Sequence, residues 1–230
     1  MTPGRWLVAA VLLGALAVAP AVAAAAESAV VIPAPAVDDV KAAGPIQTAV
    51  LAGGCFWGVQ GVYEHVRGVR QVLSGYAGGD KATATYDAVS SGRTRHAESV
   101  QIRFDPKEIT YGEILRIFFS VAHDPTQLDY QGPDTGPQYR SNIFYAGDSQ
   151  RRIARAYIAQ LGQANVFGRD IVTRVDPLKT FYPAEEYHQD FLQLNPGHPY
   201  IVINDLPKID SLRKVLPAYY REPAITVKGN

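Results

Sequence analysis

The stretch TAVLAGGCFWGVQGVYEHVRG, residues 48–68, decides the fold of this chain. Its short apolar run, Thr48–Ala52, is typical of a buried strand and is followed by two glycines. From Phe56 onward, apolar residues recur at helical spacing until Gly68 ends the pattern. The stretch therefore predicts a strand, a sharp turn and a helix, with Cys55 where the helix begins.

Downstream segments alternate between strand and helix patterns. Apolar residues alternate strictly in Glu98–Phe104, which predicts a half-buried strand, and Thr110 with Glu113 forms a T-x-x-E capping box for the next helix. The other predicted elements are strands at Val69–Tyr76, Asn142–Tyr145, Val172–Val175 and Tyr200–Ile203, and helices at Ser149–Leu161, Ala184–Leu194 and Ser211–Leu216. This mixture predicts an α+β two-layer sandwich with a mixed sheet, a ferredoxin-like core and an extended C-terminal segment.

Charge and sulfur content exclude several classes of protein. The 230 residues include 22 basic and 22 acidic side chains, so the formal net charge of zero gives no reason to expect a nucleic-acid partner. The chain has one cysteine, Cys55, and one methionine, Met1. A single cysteine excludes an intrachain disulfide and a cysteine-rich zinc site, and the histidines show no tight ligand spacing. We therefore expect no bound metal.

The first residues have the layout of a secretory signal peptide. Arg5 precedes an apolar run, and Pro20 and small residues follow it, which predicts a signal peptide at residues 1–23, with cleavage as late as residue 26. An uncleaved membrane anchor is the alternative, since the run approaches the length needed to span a bilayer. We expect export to the periplasm and no stable membrane insertion after cleavage. Residues 24–46 then predict a flexible tether, and residues 47–230 one domain.

Cys55 is the first candidate for chemistry. The unpaired N–H groups at a helix N-terminus favour an anion, so this position predicts a lowered thiol pKa and a nucleophilic thiolate. Position alone also allows a buried and inert cysteine. Export favours the functional interpretation, because an unpaired thiol is a liability in an oxidising compartment.

Six further sequence blocks follow GGCFWG, residues 53–58. They are GYAGG (75–79), TYDAVSSG (85–92), HAES (96–99), FDP (104–106), HDPTQLDYQGPDTGPQYRS (123–141) and FYPAEEYHQDF (181–191). In this order they resemble the A-type peptide methionine sulfoxide reductase family. The resemblance covers about residues 48–196 and implies a mixed α/β sandwich that reduces methionine S-sulfoxide, free or within oxidised proteins, as a repair reaction.

The resemblance implies that four side chains carry the chemistry. Cys55 would attack the sulfoxide sulfur and become a sulfenic acid, and Glu98 would supply a proton. Tyr86 and Tyr139 would donate hydrogen bonds to the sulfoxide oxygen. Independently, Glu98 shares the core-facing row of its strand, where burial raises a carboxyl pKa. Its alternatives are a solvent-facing carboxylate or a partner of Arg95.

Three further side chains would bind the substrate. The resemblance implies that Phe56 and Trp57 form an apolar pocket for the terminal methyl group, and that Asp134 contacts the backbone side of the substrate. Sulfur–aromatic contact adds a modest attraction in such a pocket. The alternatives are ordinary helix packing for the two aromatic residues and a simple turn for Asp134.

No cysteine follows Pro196, where many members of the family carry recycling cysteines. A sulfenic acid at Cys55 would therefore need an external thiol, from a thioredoxin-like or glutaredoxin-like protein or a small molecule. We expect a monomer with no bound cofactor. Two other classes stay open: a cysteine hydrolase or acyltransferase with His188 or His123 as base, and a non-catalytic sulfoxide-binding domain.

Overall fold

A computed structural model describes residues 28–227, so the predicted signal peptide lies outside the described residues. The described chain forms eight strands: β1 (Gln47–Ala52), β2 (Val69–Ala77), β3 (Ala97–Phe104), β4 (Tyr130–Gln131), β5 (Asp134–Thr135), β6 (Asn142–Tyr145), β7 (Arg174–Pro177) and β8 (Phe181–Pro183). It also forms six α-helices: α1 (Phe56–Glu64), α2 (Tyr86–Ser90), α3 (Tyr111–Ile117), α4 (Asp148–Gln163), α5 (Phe191–Leu194) and α6 (Leu206–Val215).

Six of these strands form one mixed sheet in the order β7-β6-β1-β3-β2-β8. Strands β6 and β7 are parallel, and the other neighbouring pairs are antiparallel. The chain order β1-α1-β2-β3-α3-β6, with the sheet order β6-β1-β3-β2, is the ferredoxin-like arrangement. The predicted α+β class is therefore confirmed. Strands β4 and β5 form a separate hairpin.

The main core lies between the sheet and the helices. In β3, Val100, Ile102 and Phe104 are fully buried in this core, as their alternation predicts. The capping box of α3 is also confirmed: the Glu113 N–H donates to the Thr110 hydroxyl oxygen at 3.2 Å, and the Thr110 N–H donates to the Glu113 carboxylate at 2.9 Å. Since Glu98 belongs to the same row of β3, the sheet directs it toward α1.

The predicted helix Ala184–Leu194 is wrong. The segment forms a 3₁₀ turn, Glu186–His188, and then α5, and Asp190 between them has a left-handed φ of 55°. Hydrogen bonds to the edge of β2 replace the helical ones. The Ala184 N–H donates to the Ser74 carbonyl at 2.9 Å, and the side-chain amide of Gln189 bonds both the N–H and the carbonyl of Ser74.

The predicted strand Tyr200–Ile203 is also wrong, because residues 201–205 form a π-helical turn that leads directly into α6. The helix predicted at Ser211 consequently begins at Leu206. The turn packs the buried Asp205 carboxyl against α1, so closely that a Cβ atom at Gly58 would clash with it. The sequence pattern showed no sign of this contact, which joins segments far apart along the chain.

Residues 28–42, which we call the N-terminal strap, lie against the domain although they were predicted to be a flexible tether. Ile32 is only 2% exposed and belongs to the main core. The Val30 N–H donates to the Ser120 carbonyl at 2.9 Å. The Asp38 carboxylate accepts a hydrogen bond from the Gly112 N–H at 2.8 Å, at the start of α3. Residues 28–42 of the predicted tether therefore pack against the domain.

Candidate active site

A cavity of about 180 Å³ gathers the side chains that the sequence predicts for the site. It is lined by Cys55, Phe56, Trp57, Tyr86, Glu98, Asp134, Tyr139 and Tyr200. All seven predicted residues are among them, and Tyr200 is an addition. The walls come from the N-terminal ends of α1 and α2, the beginning of β3, the hairpin β4-β5, the 3₁₀ turn Pro137–Tyr139 and the segment before α6.

The turn before Cys55 depends on glycine. Gly54 has a φ of 91°, which disfavours other residues, and a Cβ atom there would lie 2.6 Å from Cγ of Gln131. Cys55 follows as the N-cap of α1 and is partly exposed. The strand, turn and helix predicted from the sequence thus place the thiol in the wall of the cavity.

The predicted lowering of the Cys55 pKa is wrong for the resting site. Burial of the thiol raises its pKa well above the ordinary value, and the carboxyl groups of Glu98, Asp205 and Asp134 raise it further. The backbone N–H of Trp57 lowers the pKa and so acts in the opposite direction. Burial and the carboxyl groups therefore raise the pKa more than the helix N-terminus can lower it. At neutral pH the resting cysteine is a thiol.

Glu98 holds a proton at neutral pH. Its side chain is buried, and this burial raises the pKa to about 8, although a hydrogen bond from the Phe56 N–H at 3.1 Å lowers it. The core-facing position predicted for Glu98 is confirmed. Its polar partner is the backbone of α1 and not Arg95. The cavity therefore contains a carboxylic acid that can give up a proton.

Tyr86 and Tyr139 present phenol groups to the same cavity. Tyr86 is the first residue of α2, and Tyr139 ends the 3₁₀ turn Pro137–Tyr139. Burial, followed by the charge of Glu98, raises the pKa of both phenols above the ordinary value. Both therefore stay protonated and able to donate a hydrogen bond across the physiological pH range.

Aromatic residues form the apolar wall. The Trp57 indole stacks on Phe191, with ring centroids 3.8 Å apart and planes 10° apart. Its Nε1–H donates to Nδ1 of His188 at 3.1 Å. The His188 ring also lies 4.5 Å from the Tyr86 ring and 5.0 Å from the Phe56 ring. Phe56 and Trp57 thus belong both to the helix packing and to the cavity wall.

Tyr200 is the site residue that the sequence analysis missed. Its hydroxyl donates a hydrogen bond to the Asp134 carboxylate, and its ring packs edge-on at 6.0 Å from Trp57. No local motif marks Tyr200, because it reaches the cavity only through the fold of the C-terminal segment. Asp134 lies in the β4-β5 hairpin, so it is a hairpin residue and a wall residue at once.

Neither histidine proposed as a hydrolytic base has a hydrogen bond to Cys55. His123 bonds the Phe118 carbonyl at 3.0 Å and the Ser141 hydroxyl at 2.8 Å, and burial lowers its pKa to about 3. His188 accepts from Trp57. A cysteine hydrolase needs its base within hydrogen-bond reach of the nucleophile, so the described residues do not support that alternative.

Comparisons with known proteins agree with this geometry. The family model described as peptide methionine sulfoxide reductase matches residues 47–218. The chain is 57% identical over 189 residues to peptide methionine sulfoxide reductase MsrA 2 of Mesorhizobium japonicum, covering 82% of this chain and 97% of that protein. It is 51% identical over 191 residues to the MsrA 2 of Synechocystis, covering 80% and 87%.

Solved structures give the same result. Methionine sulfoxide reductase A of Corynebacterium diphtheriae matches with a TM-score of 0.58 and 32% identity, covering 76% of this chain and 88% of that one. Reduced Mxr1 of Saccharomyces cerevisiae matches with a TM-score of 0.60 and 34% identity, covering 70% and 91%. From the family match, the relatives and the fold together, the chain belongs to the peptide methionine sulfoxide reductase family.

Proposed function

We propose that this protein reduces methionine S-sulfoxide to methionine in a cycle that uses one cysteine, Cys55. Family membership makes it an oxidoreductase that acts on methionine sulfoxide in protein repair. The roles of the catalytic residues are assigned from one observation. The Cys55 thiol, the protonated Glu98 carboxyl group and the phenols of Tyr86 and Tyr139 line the same cavity.

The proposed first step moves one oxygen atom from the substrate to Cys55. Tyr86 and Tyr139 donate hydrogen bonds to the sulfoxide oxygen, and Glu98 gives it a proton while the Cys55 sulfur attacks the sulfoxide sulfur. The thiol proton restores the Glu98 carboxyl group, and the attack leaves an S–S bond between Cys55 and the protonated substrate. The hydroxyl group then passes from the substrate sulfur to the Cys55 sulfur, so the substrate S–O bond and this S–S bond break as the Cys55 S–O bond forms. The substrate sulfur gains two electrons and the cysteine sulfur loses two, so the products are methionine and a Cys55 sulfenic acid, and no proton is consumed.

The cavity also accounts for stereochemical choice. The thiol, the two phenols and the apolar side chains of Phe56 and Trp57 all line it. They would fix the attacking direction, the oxygen and the methyl group of one bound sulfoxide. The opposite enantiomer would exchange two of these substituents and place its oxygen against an apolar wall, at the cost of a buried, unpaired acceptor. The A-type resemblance assigns the S form.

The second half of the cycle depends on an external thiol. Cys55 is the only cysteine, so its sulfenic acid has no partner in the same chain. A thioredoxin-like or glutaredoxin-like protein, or a small thiol, would form a mixed disulfide with Cys55 and then release it. We propose that the enzyme works as a monomer, since one chain supplies every wall of the cavity.

A burst experiment tests this cycle. Without any reductant, the purified enzyme should release about one methionine per Cys55 from the S-sulfoxide and then stop. The R-sulfoxide should give no burst, and C55S should give none with either enantiomer. Mass spectrometry should find one added oxygen on Cys55. Continued turnover without a thiol, or a burst from C55S, would show that the one-cysteine cycle is wrong.

We also propose that the protein is exported and released from the membrane. The signal-peptide layout of residues 1–23, with Pro20 and small residues after the apolar run, supports export and cleavage. As a separate finding, no helix among residues 28–227 is long and apolar enough to cross a bilayer. Periplasmic extraction followed by N-terminal sequencing tests the proposal. A mature chain that begins between residues 24 and 27 is expected, whereas a membrane-bound chain that keeps Arg5 would contradict it.

A further inference from the structure

Helix α2 lacks a cap of its own. It has only five residues, and its N-cap, Thr85, makes no hydrogen bond from its side chain to the helix. Isolated helices of this length are unstable, because few of their N–H groups find partners inside the helix. Tyr86 is the first residue of α2 and a wall of the cavity, so whatever fixes the helix start also fixes this phenol.

Glu185 supplies the missing cap from a distant part of the chain. One oxygen of its carboxylate accepts a hydrogen bond from the Tyr86 N–H at 2.9 Å. The other accepts from the Tyr76 hydroxyl at 2.8 Å. Tyr76 lies opposite Glu98 in the β2-β3 register, and its ring is 5.9 Å from Phe56. Through one carboxylate, the start of α2 is tied to the strand beside the catalytic acid.

The backbone holds Glu185 in place. Strand β8 pairs with β2 immediately before it, and the Ala184 N–H bonds the Ser74 carbonyl at 2.9 Å. After it, the His188 N–H donates to the Glu185 carbonyl at 3.0 Å. Burial alone would raise the pKa of Glu185, but the hydrogen bonds from Tyr86 and Tyr76 keep the pKa below its ordinary value. The cap is therefore a carboxylate at neutral pH, the form that a helix N-terminus favours.

We propose that Glu185 is a positioning residue of the reductase step: its carboxylate caps α2 and so holds the Tyr86 phenol against the sulfoxide oxygen. The inference rests on the oxygen-binding role proposed above for Tyr86. Glu185 is not among the residues that line the cavity, so it acts on the substrate only through another side chain.

A double-mutant cycle on the single-turnover rate tests the proposal. E185A should slow methionine release on the order of tenfold, because a small displacement of a catalytic group costs that much or more. In a Y86F background the same E185A change should have little further effect, within about twofold, since the hydroxyl it positions is absent. E185Q should keep most of the rate, because its amide oxygen can still accept from the Tyr86 N–H.

Matched variants separate the cap from general stability. Y76F removes the other hydrogen bond of Glu185 and leaves the cap, so its rate loss should be smaller than that of E185A. If E185A does not fold, E185D replaces it, since its shorter side chain cannot reach both partners. Equal rate losses in the Tyr86 and Y86F backgrounds, or no loss in E185A, would overturn the proposal. A Y86F enzyme with the full rate would instead refute the role of Tyr86 itself.

Discussion

Glu98 shows how one carboxyl group becomes an acid at neutral pH. It lies near the start of β3, in the core-facing row of the strand, where burial disfavours its charged form. The one hydrogen bond that favours the anion, from the Phe56 N–H, does not outweigh burial. The protonated form therefore dominates below a pH of about 8 and the ionised form above it.

We expect the single-turnover rate to follow this ionisation. The rate should be highest below the Glu98 pKa of about 8 and should fall as the pH rises through it, because the acid is lost. E98Q should be slower at pH 7 by about 100-fold, within the usual range for general acids, and should lack this decline. E108Q, at an exposed site, is the control. A wild-type rate that stays constant through the alkaline range would contradict the assignment.

The positions of some site residues could be predicted from the sequence, because they follow from a local pattern. The parity of β3 placed Glu98 toward the core, and the strand-turn-helix pattern placed Cys55. Sequence reasoning failed for the pKa of Cys55, because burial of the thiol raises this pKa most and carboxyl groups from three other segments raise it further. It missed Tyr200 for the same reason. Contacts between distant segments leave no periodicity in either one.

Helix α3 is capped twice at its N-terminus, once by its own residues and once by the strap. Its own capping box was visible as the T-x-x-E pattern of Thr110 and Glu113. The second cap comes from the strap, where the Asp38 carboxylate accepts hydrogen bonds from the Thr110 hydroxyl and the Gly112 N–H. No sequence motif predicts this second cap, because the composition of the strap resembles that of a linker. The helix predicted at Ala184–Leu194 is wrong for a similar reason. Hydrogen bonds between the Gln189 side chain and the Ser74 backbone stabilise a different conformation from the one that its apolar spacing predicts.

Removing the second cap should weaken the fold and leave the chemistry intact. We expect D38A to lower the free energy of unfolding by about 1–2 kcal/mol, the usual cost of a lost helix cap. D39A is a matched control, because the Asp39 carboxylate accepts from the Ser149 hydroxyl at 2.9 Å and lies 4.0 Å from Arg152, and within residues 28–227 it accepts no hydrogen bond from the start of α3. Its cost should be below about 0.5 kcal/mol. Urea titration measures both values, and equal losses would contradict the capping role.

The first and last segments of the described residues both pack against the domain. The strap crosses α3 and α4, where Ile32 enters the core and the Tyr157 hydroxyl donates to the Pro33 carbonyl at 2.7 Å. At the other end, the Ile225 N–H donates to the Glu64 carbonyl at 2.9 Å, and the Arg67 N–H donates to the Tyr219 carbonyl at 2.8 Å. Within residues 28–227, both segments therefore belong to the folded unit, in addition to the βαββαβ core.

Deleting residues 24–41 from the mature chain tests this view of the whole molecule. Exposing the site of Ile32 alone forfeits about 1.5–3 kcal/mol of apolar burial, so the Tm should fall by roughly 5–10 °C. The burst of methionine should persist at a temperature where the shortened chain is folded, because no strap residue lines the cavity. An unchanged Tm would restore the interpretation of this segment as a flexible tether.

The isolation of Cys55 has a practical consequence for observing the reaction. Apart from Met1, this thiol carries the only sulfur atom of the chain. Sulfur X-ray absorption of the processed enzyme would thus report the oxidation state of the catalytic atom alone, without background from other residues. Once substrate and product have been removed after a single turnover without a thiol, the thiol and the sulfenic acid could be distinguished in an intact enzyme that has not been labelled or mutated.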